Sequence, residues 1–377
     1  MKKVGIMSMQ RIYNYGSFLQ AYALKRLIEE INNENDVTFV DFKPGTPLVQ
    51  ADKKESTGIK RKIEKLREYS KVDSSLINKI KFFNHKRTYG KRFYPLLEIN
   101  DELNHNTDLD VLVIGSDEVF NCVQANTNVG YSRDLFGHNS KAKKVISYAG
   151  SFGNTTMKKI RDYQIEDDLK NDFSSFNAVS VRDKNSFEIL SQLGIENPVI
   201  NVDPVLAYDY MGTEHTIPKK RLYNEKYMIV YGYSGRITKE ENVLLRKYSK
   251  KNGLKILCFG GVQGCCDEFI DCTPFELLAY FRDAEAIVTD TFHGTIFSII
   301  NNKPFVTLIR KSIGTSYGNE EKLGYLLSIF DLSDQGVNRI TENNLDKTLA
   351  KKINYSEVNK ELTNRRIQAK EFLLKNV

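Results

Sequence analysis

Short apolar runs recur along this chain, and several alternate with stretches of helical periodicity. That alternation constrains the fold more than any other feature. Strands joined through helices pair in parallel and build βαβ units. In the first half the runs are "KVGIMS" (3–8), "DVTFVDF" (36–42), "DVLVIGS" (110–116), "KVISYA" (144–149), "AVSVR" (178–182) and "NPVINVDP" (197–204). A second series begins with "KYMIVYGY" (226–233) and continues through "LKILCFGG" (254–261), "EAIVTD" (285–290) and "KPFVTLI" (303–309). Between the last three stand a helix opening on Thr273, Pro274 and Glu276, which spell an N-cap, a first-turn proline and a capping box, and the helical "GTIFSIINN".

With 377 residues the chain exceeds what one core usually serves. The expectation is an α/β protein of two doubly wound, Rossmann-like domains facing a cleft and joined near 204–225. Residues 1–208 form the first and 209–350 the second. Residues 351–377 are read as a helix reaching back to the first domain. In such folds ligands bind at the C-terminal ends of the strands.

Composition narrows the classes. No run approaches the roughly 18 apolar residues of a membrane span, and in "MKKVGIMSMQ" polar residues follow too soon for a secretory leader, so a cytoplasmic chain is expected. Four of the five cysteines, Cys258, Cys265, Cys266 and Cys272, are close in sequence, but no C-x-x-C pair accompanies them and no metal is expected. The net charge of +7 is concentrated between Ala51 and Arg92, where fourteen Lys or Arg face five Asp or Glu. Two apolar stripes, Ile59, Ile63, Leu66 and Leu76, Ile77, Ile80, Phe83, make this a basic helical insertion. A solvated helical pair whose stripes pack on the core satisfies the pattern. So does a dock for anionic lipid at the inner face of the membrane. Nucleic acid is not expected, since no aromatic-basic motif accompanies the charge.

Four strand-end motifs carry the chemistry. In "NYGSFLQAYAL", Gly16 permits a tight turn and Asn14 or Ser17 can cap a helix whose amides then suit an anion or hydroxyl. A simple capped turn satisfies the same residues, and no G-x-G-x-x-G is present for a dinucleotide. In "VIGSDEVFN", Asp117 follows Ser116 at a strand end, as a base toward a sugar hydroxyl or as a cap. In "VSVRDKNS", the planar fork of Arg182 suits a carboxylate or phosphate, or a pair with Asp183 or Glu188. In "TDTFHGTIFS", Asp290 or Thr291 can cap, Gly294 admits a close ligand, and His293 falls in the first turn. There the helix dipole opposes protonation of the ring and favours an anion. An acidic neighbour or a bound anion would ready such a histidine for proton transfer or phosphate recognition.

Together "NYGSFLQAYAL", "VIGSDEVFN", "VSVRDKNSFEIL…DPVL" and "TDTFHGTIFSIINNKPF" resemble the polysaccharide pyruvyl transferase family in order and spacing, from about residue 4 to 310. The resemblance implies a GT-B-like fold and a role in capsule or exopolysaccharide synthesis. It implies transfer of pyruvate from phosphoenolpyruvate to two hydroxyls of a sugar, giving a cyclic ketal and phosphate, with no cofactor beyond the donor. By resemblance His293 is the acid or phosphate contact, Asp117 the base and Arg182 the grip on an acidic group of the donor. Tyr15, Gly16, Ser17, Gln20 and Ser116 fall among the substrate-binding positions of the first domain, and Asp290, Thr291, Gly294 and Thr295 among those of the second. Many members carry Arg-Leu-His where this chain has Thr291-Phe292-His293, and Arg310 or Lys311 would supply the missing charge. Glu118 and Phe120 replace the commoner Gln and Trp. The acceptor sugar can be free or carried on a polyprenyl diphosphate. A GT-B glycosyltransferase using a nucleotide sugar, or a non-catalytic binding protein of polysaccharide assembly, are the other classes consistent with these motifs.

Overall fold

The computed structural model describes residues 1–49, 72–311 and 319–377. The first domain runs β1 (Lys2–Met7), α1 (Tyr15–Ile31), β2 (Asn35–Phe39), α2 (Leu76–Phe93), β3 (Val111–Asp117), β4 (Lys144–Gly150), α3 (Met157–Asp162), α4 (Glu166–Phe173), β5 (Ser180–Val181), α5 (Lys184–Gln192) and β6 (Val199–Ile200). Two short helices, α6 (Pro204–Ala207) and α7 (Tyr210–Thr213), lead into the second domain. There β7 (Tyr227–Tyr231), α8 (Lys239–Lys251), β8 (Lys255–Phe259), β9 (Glu268–Phe269), α9 (Pro274–Asp283), β10 (Ala286–Thr289) and α10 (Phe292–Ile300) are followed by β11 (Phe305–Leu308), α11 (Glu320–Ser328), β12 (Gly336–Val337), α12 (Glu342–Ala350) and α13 (Tyr355–Asn376).

Each domain holds one six-stranded sheet, in the orders β2-β1-β3-β4-β5-β6 and β12-β11-β10-β7-β8-β9, with every pairing parallel. Central strands are apolar throughout because helices cover both faces: β7 and β10 are buried at every position. The strands β9 and β12, two residues each, are too short to leave a periodic signal in the sequence. No helix among the described residues is long and apolar enough to cross a membrane.

The domains are packed together. Tyr22 of α1 meets Phe275 of α9 with ring centroids 5.0 Å apart, and Phe18 meets the same ring at 6.0 Å. Helix α13 starts on the second domain, where Tyr355 donates to the Lys303 carbonyl, and reaches the first, where Phe372 lies against Tyr148.

Helix α2 departs from expectation. Leu76, Ile77, Ile80 and Phe83 do not pack on the core; they are 76, 67, 67 and 48 % exposed. The buried side is Asn78, Phe82, His85, Tyr89 and Phe93. Polar demands set this orientation: Asn78 accepts from the amide of Phe269 on the edge strand β9, and His85 and Arg92 both meet Asp271. The stripe Ile59, Ile63, Leu66 lies outside the described residues.

Thr273 accepts from the amide of Glu276, whose carboxylate answers to the Thr273 amide, a complete capping box on α9. Thr273→Ala should therefore lower the denaturant midpoint, equivalent to about 1 kcal/mol, with the slope unchanged. A midpoint equal to wild type would show that tertiary packing alone fixes this helix.

Candidate active site

The C-terminal ends of both sheets open on one cleft of about 250 Å³. Thr291 ends the turn after β10 and caps α10, its hydroxyl accepting from the Gly294 amide at 2.9 Å. The cap sets His293 in the first helical turn, only 8 % exposed, with its ring aimed into the first domain. A Cβ added at Gly16 would collide with Nδ1 and Cγ of His293, so α1 approaches the ring as closely as a residue without a side chain allows. Two helix N-termini, of α1 and α10, thus converge on one imidazole.

The counter-charge is Asp203, in the turn between β6 and α6. Its Oδ2 lies 3.6 Å from His293 Nε2, within ion-pair range, and accepts from Arg182 Nη1 at 2.7 Å and Ser116 Oγ at 3.2 Å. Burial alone would push this carboxyl up, but His293 and then Arg182 outweigh it and hold Asp203 down at about 2. Arg182 spans to Asp117 at 3.1 Å and lies 4.5 Å over the Phe292 ring. Burial opposes its charge, yet Asp117 and Asp203 hold it above the ordinary arginine value. Asp117 also accepts from Ser17 at 2.8 Å and has left-handed backbone (φ 69°), which turns the strand end toward the cleft.

Across the cleft, Lys322 of α11 reaches Glu118 of the first domain at 2.6 Å. Burial would raise the Glu118 carboxyl, but Lys322 and then Arg182 bring it down to about 2. Arg236, after β7, stacks 4.3 Å over Tyr233 and lies 3.7 Å from Asp290. The wall thus carries Arg236 and Lys322 from the second domain and Asp117, Glu118 and Arg182 from the first.

Of the residues expected from sequence, Ser17, Asp117, Arg182, Thr291 and His293 line the cleft, and Gly16 backs onto His293. Others lie beneath it. Gln20 donates to Ser8 and accepts from the Ser116 amide, and Ser116 bonds Ala149 and Asp203, so both brace the strand ends. Tyr15 is buried and donates to the Cys272 carbonyl at 2.7 Å. Gly294 fits against Thr289, and Thr295 bonds Thr291 and Thr307, which makes both packing positions. Asp290 is fully buried, and burial raises its carboxyl above the usual value against the pull of Arg236 and Arg310. Arg310 is turned away, held by Glu241 at 2.7 Å, so it does not supply the charge absent at Thr291. Lys311 stands 3.7 Å from Glu320. Arg182 pairs with neither Asp183 nor Glu188; both its Nη atoms are taken up by Asp203 and Asp117, leaving Nε without a hydrogen-bond partner among the described residues. Among the described residues no group of three His, Cys, Asp or Glu is placed to hold a metal.

Sequence reasoning missed three residues. Asp203 stood inside the quoted "DPVL" but was read only as the end of a strand. Arg236 and Lys322 sit in "SGRITKEEN" and "NEEKLGY", which look like any solvated helix start.

A sequence profile of the family described as polysaccharide pyruvyl transferase matches residues 14–312. No curated protein sequence gives a significant match. Among solved structures, the UDP-GlcNAc 2-epimerase from Neisseria meningitidis bound to UDP-GlcNAc is similar at a TM-score of 0.51 and 10% identity, over 100% of this chain and 99% of that one. The S. aureus MnaA–UDP co-structure is similar at 0.50 and 13%, over 98% and 94% of the two chains. At such identities the likeness shows the fold, which is GT-B-like.

Two outcomes follow from this geometry. Gly16→Ala must displace the imidazole or α1, and a displacement of about 1 Å costs roughly 10²-fold in turnover; activity should collapse while far-ultraviolet circular dichroism stays native. The folded values of Asp203 and Glu118, about 2, lie below the ordinary 3.8 and 4.5. Their stabilisation is present above those ordinary values and lost as pH falls toward 2, because the unfolded chain binds the protons first. Thermal unfolding against pH should show this loss, and Asp203→Asn should flatten it.

Proposed function

The chain belongs to the polysaccharide pyruvyl transferase family, and from that premise we propose that it moves a pyruvyl group from phosphoenolpyruvate to two hydroxyls of one sugar. The product is a cyclic ketal, and phosphate is released. The observation that carries the reading is the placement of His293: its Nε2 is buried, has no hydrogen-bond partner among the described residues, and lies 3.6 Å from Asp203 at the wall of a cleft that also holds Lys322 and Arg236.

The chemistry needs a proton donor, a base and cations for the donor's carboxylate and phosphate. His293 gives its proton to the methylene carbon, which becomes the methyl group. The central carbon, now cationic, bonds to the first sugar hydroxyl, whose proton passes to Asp117. The carbon–oxygen bond to phosphate breaks, the phosphate leaving with the electron pair. The second hydroxyl bonds to the same carbon and gives up its proton. Of the two hydroxyl protons, one balances the new methyl group and the other leaves on phosphate. Asp203, 3.6 Å from Nε2, keeps His293 in place. Arg182 fixes Asp117 and Asp203, so it positions the acid and the base. Lys322 and Arg236 are the cations for the donor's charges, in place of the motif arginine that Thr291 lacks. A volume of 250 Å³ lies below the roughly 300–1,000 Å³ of larger ligand pockets. It admits a three-carbon phosphoester with the edge of a sugar.

His293→Gln, which keeps the volume, should lower kcat by roughly 10²- to 10⁴-fold while far-ultraviolet circular dichroism stays native, and should also lower Tm because the buried Asp203 loses a partner. Lys322→Met should act mainly on KM for phosphoenolpyruvate, by about ten- to a hundredfold, the worth of a charged hydrogen bond. Phosphate release, together with mass spectrometry of the sugar for the added pyruvyl mass, reads both. Calorimetric binding of a uridine nucleotide sugar with none of phosphoenolpyruvate would overturn the assignment in favour of glycosyl transfer.

A further inference from the structure

The outward face of α2 has no role in the cleft, and its composition is unusual for a solvated helix. Its eighteen residues, Leu76–Phe93, carry six Lys or Arg and no Asp or Glu. Residues 76, 80, 83, 87 and 91 recur at helical spacing, and all are exposed. The stripe is apolar in its first half, with Leu76, Ile77, Ile80 and Phe83, and basic in its second, with Arg87 and Lys91.

The helix cannot roll to hide the apolar half. Asn78 is bonded to the Phe269 amide at 3.0 Å, Lys81 to Glu268 at 2.7 Å and His85 to Asp271 at 2.7 Å. Tyr89 donates to the Asn14 carbonyl at 2.8 Å. Turning Ile80 and Phe83 inward would break each of these polar contacts and leave buried groups unsatisfied. The apolar residues are therefore presented by a fixed scaffold.

We propose that this face docks the protein on a bilayer containing anionic lipid. Four apolar side chains can enter the boundary between headgroups and acyl chains, while Arg87 and Lys91 meet the negative surface. A second copy of the chain is a poorer occupant, since a self-complementary contact would set two acid-free, cationic helices against each other. The inner face of the same helix holds the Asn14 carbonyl through Tyr89 and the Tyr13 carbonyl through Lys86, at the start of α1, so docking brings the rim of the cleft toward the headgroups. The inference is independent of the pyruvyl-transfer reading.

The test is co-sedimentation of the full chain with vesicles of phosphatidylcholine alone and of phosphatidylcholine mixed with phosphatidylglycerol. Retention is expected only on the mixed vesicles and should fade as salt rises toward molar. Arg87→Gln and Lys91→Gln should each weaken binding about fivefold. Ile80→Ser combined with Phe83→Ser should weaken it by about tenfold or more, with Tm unchanged because both side chains are exposed. Equal retention on the two vesicles, or indifference to both sets of substitutions, overturns the proposal. So does a dimer in light scattering that the serine variant dissolves, which would make this face a contact between copies.

Discussion

The buried carboxylate of Asp203 is the interaction on which the site depends. An isolated charge at that depth would be untenable, so each of its neighbours is committed to it. Arg182 arrives from the end of β5, Ser116 from β3, and His293 from the other domain. The first two align strand ends within one sheet; the third links the sheets. Breaking a buried pair of this kind by removing one partner leaves the other charge stranded, which is why such clusters fix one arrangement of the chain even when their net contribution to stability is small.

Around that carboxylate the N-termini of α1 and α10 meet at one ring, that of His293. The GT-B-like frame contributes the facing of two parallel sheets, and the chemistry comes from the side chains at their ends.

Much of this was legible beforehand. Parallel sheets announce themselves because their strands are covered on both faces, as "DVLVIGS" and "EAIVTD" show, and the strand-end rule then leads to Asp117, Arg182 and His293 without coordinates. What was hidden has physical reasons. Asp203 follows a two-residue strand, β6, and its significance lies in partners far away in sequence. Arg310 looked well placed by its position after β11, yet Glu241 draws it off, and no local pattern encodes that pairing. The orientation of α2 was misjudged because hydrophobicity pointed one way and hydrogen-bonding needs the other. Asn78, His85 and Tyr89, which carry polar groups, are on the buried face.

Helix α2 also has a mechanical meaning. Its first half is fastened to the second domain through Phe269, Glu268 and Asp271, and its second half to the first domain through Asn14. It therefore ties the two domains together on one side, as the bond between Glu118 and Lys322 does from α11. A load that pulls the domains apart must strain both ties, so the strand ends that carry Asp117 and His293 are held in register from more than one direction.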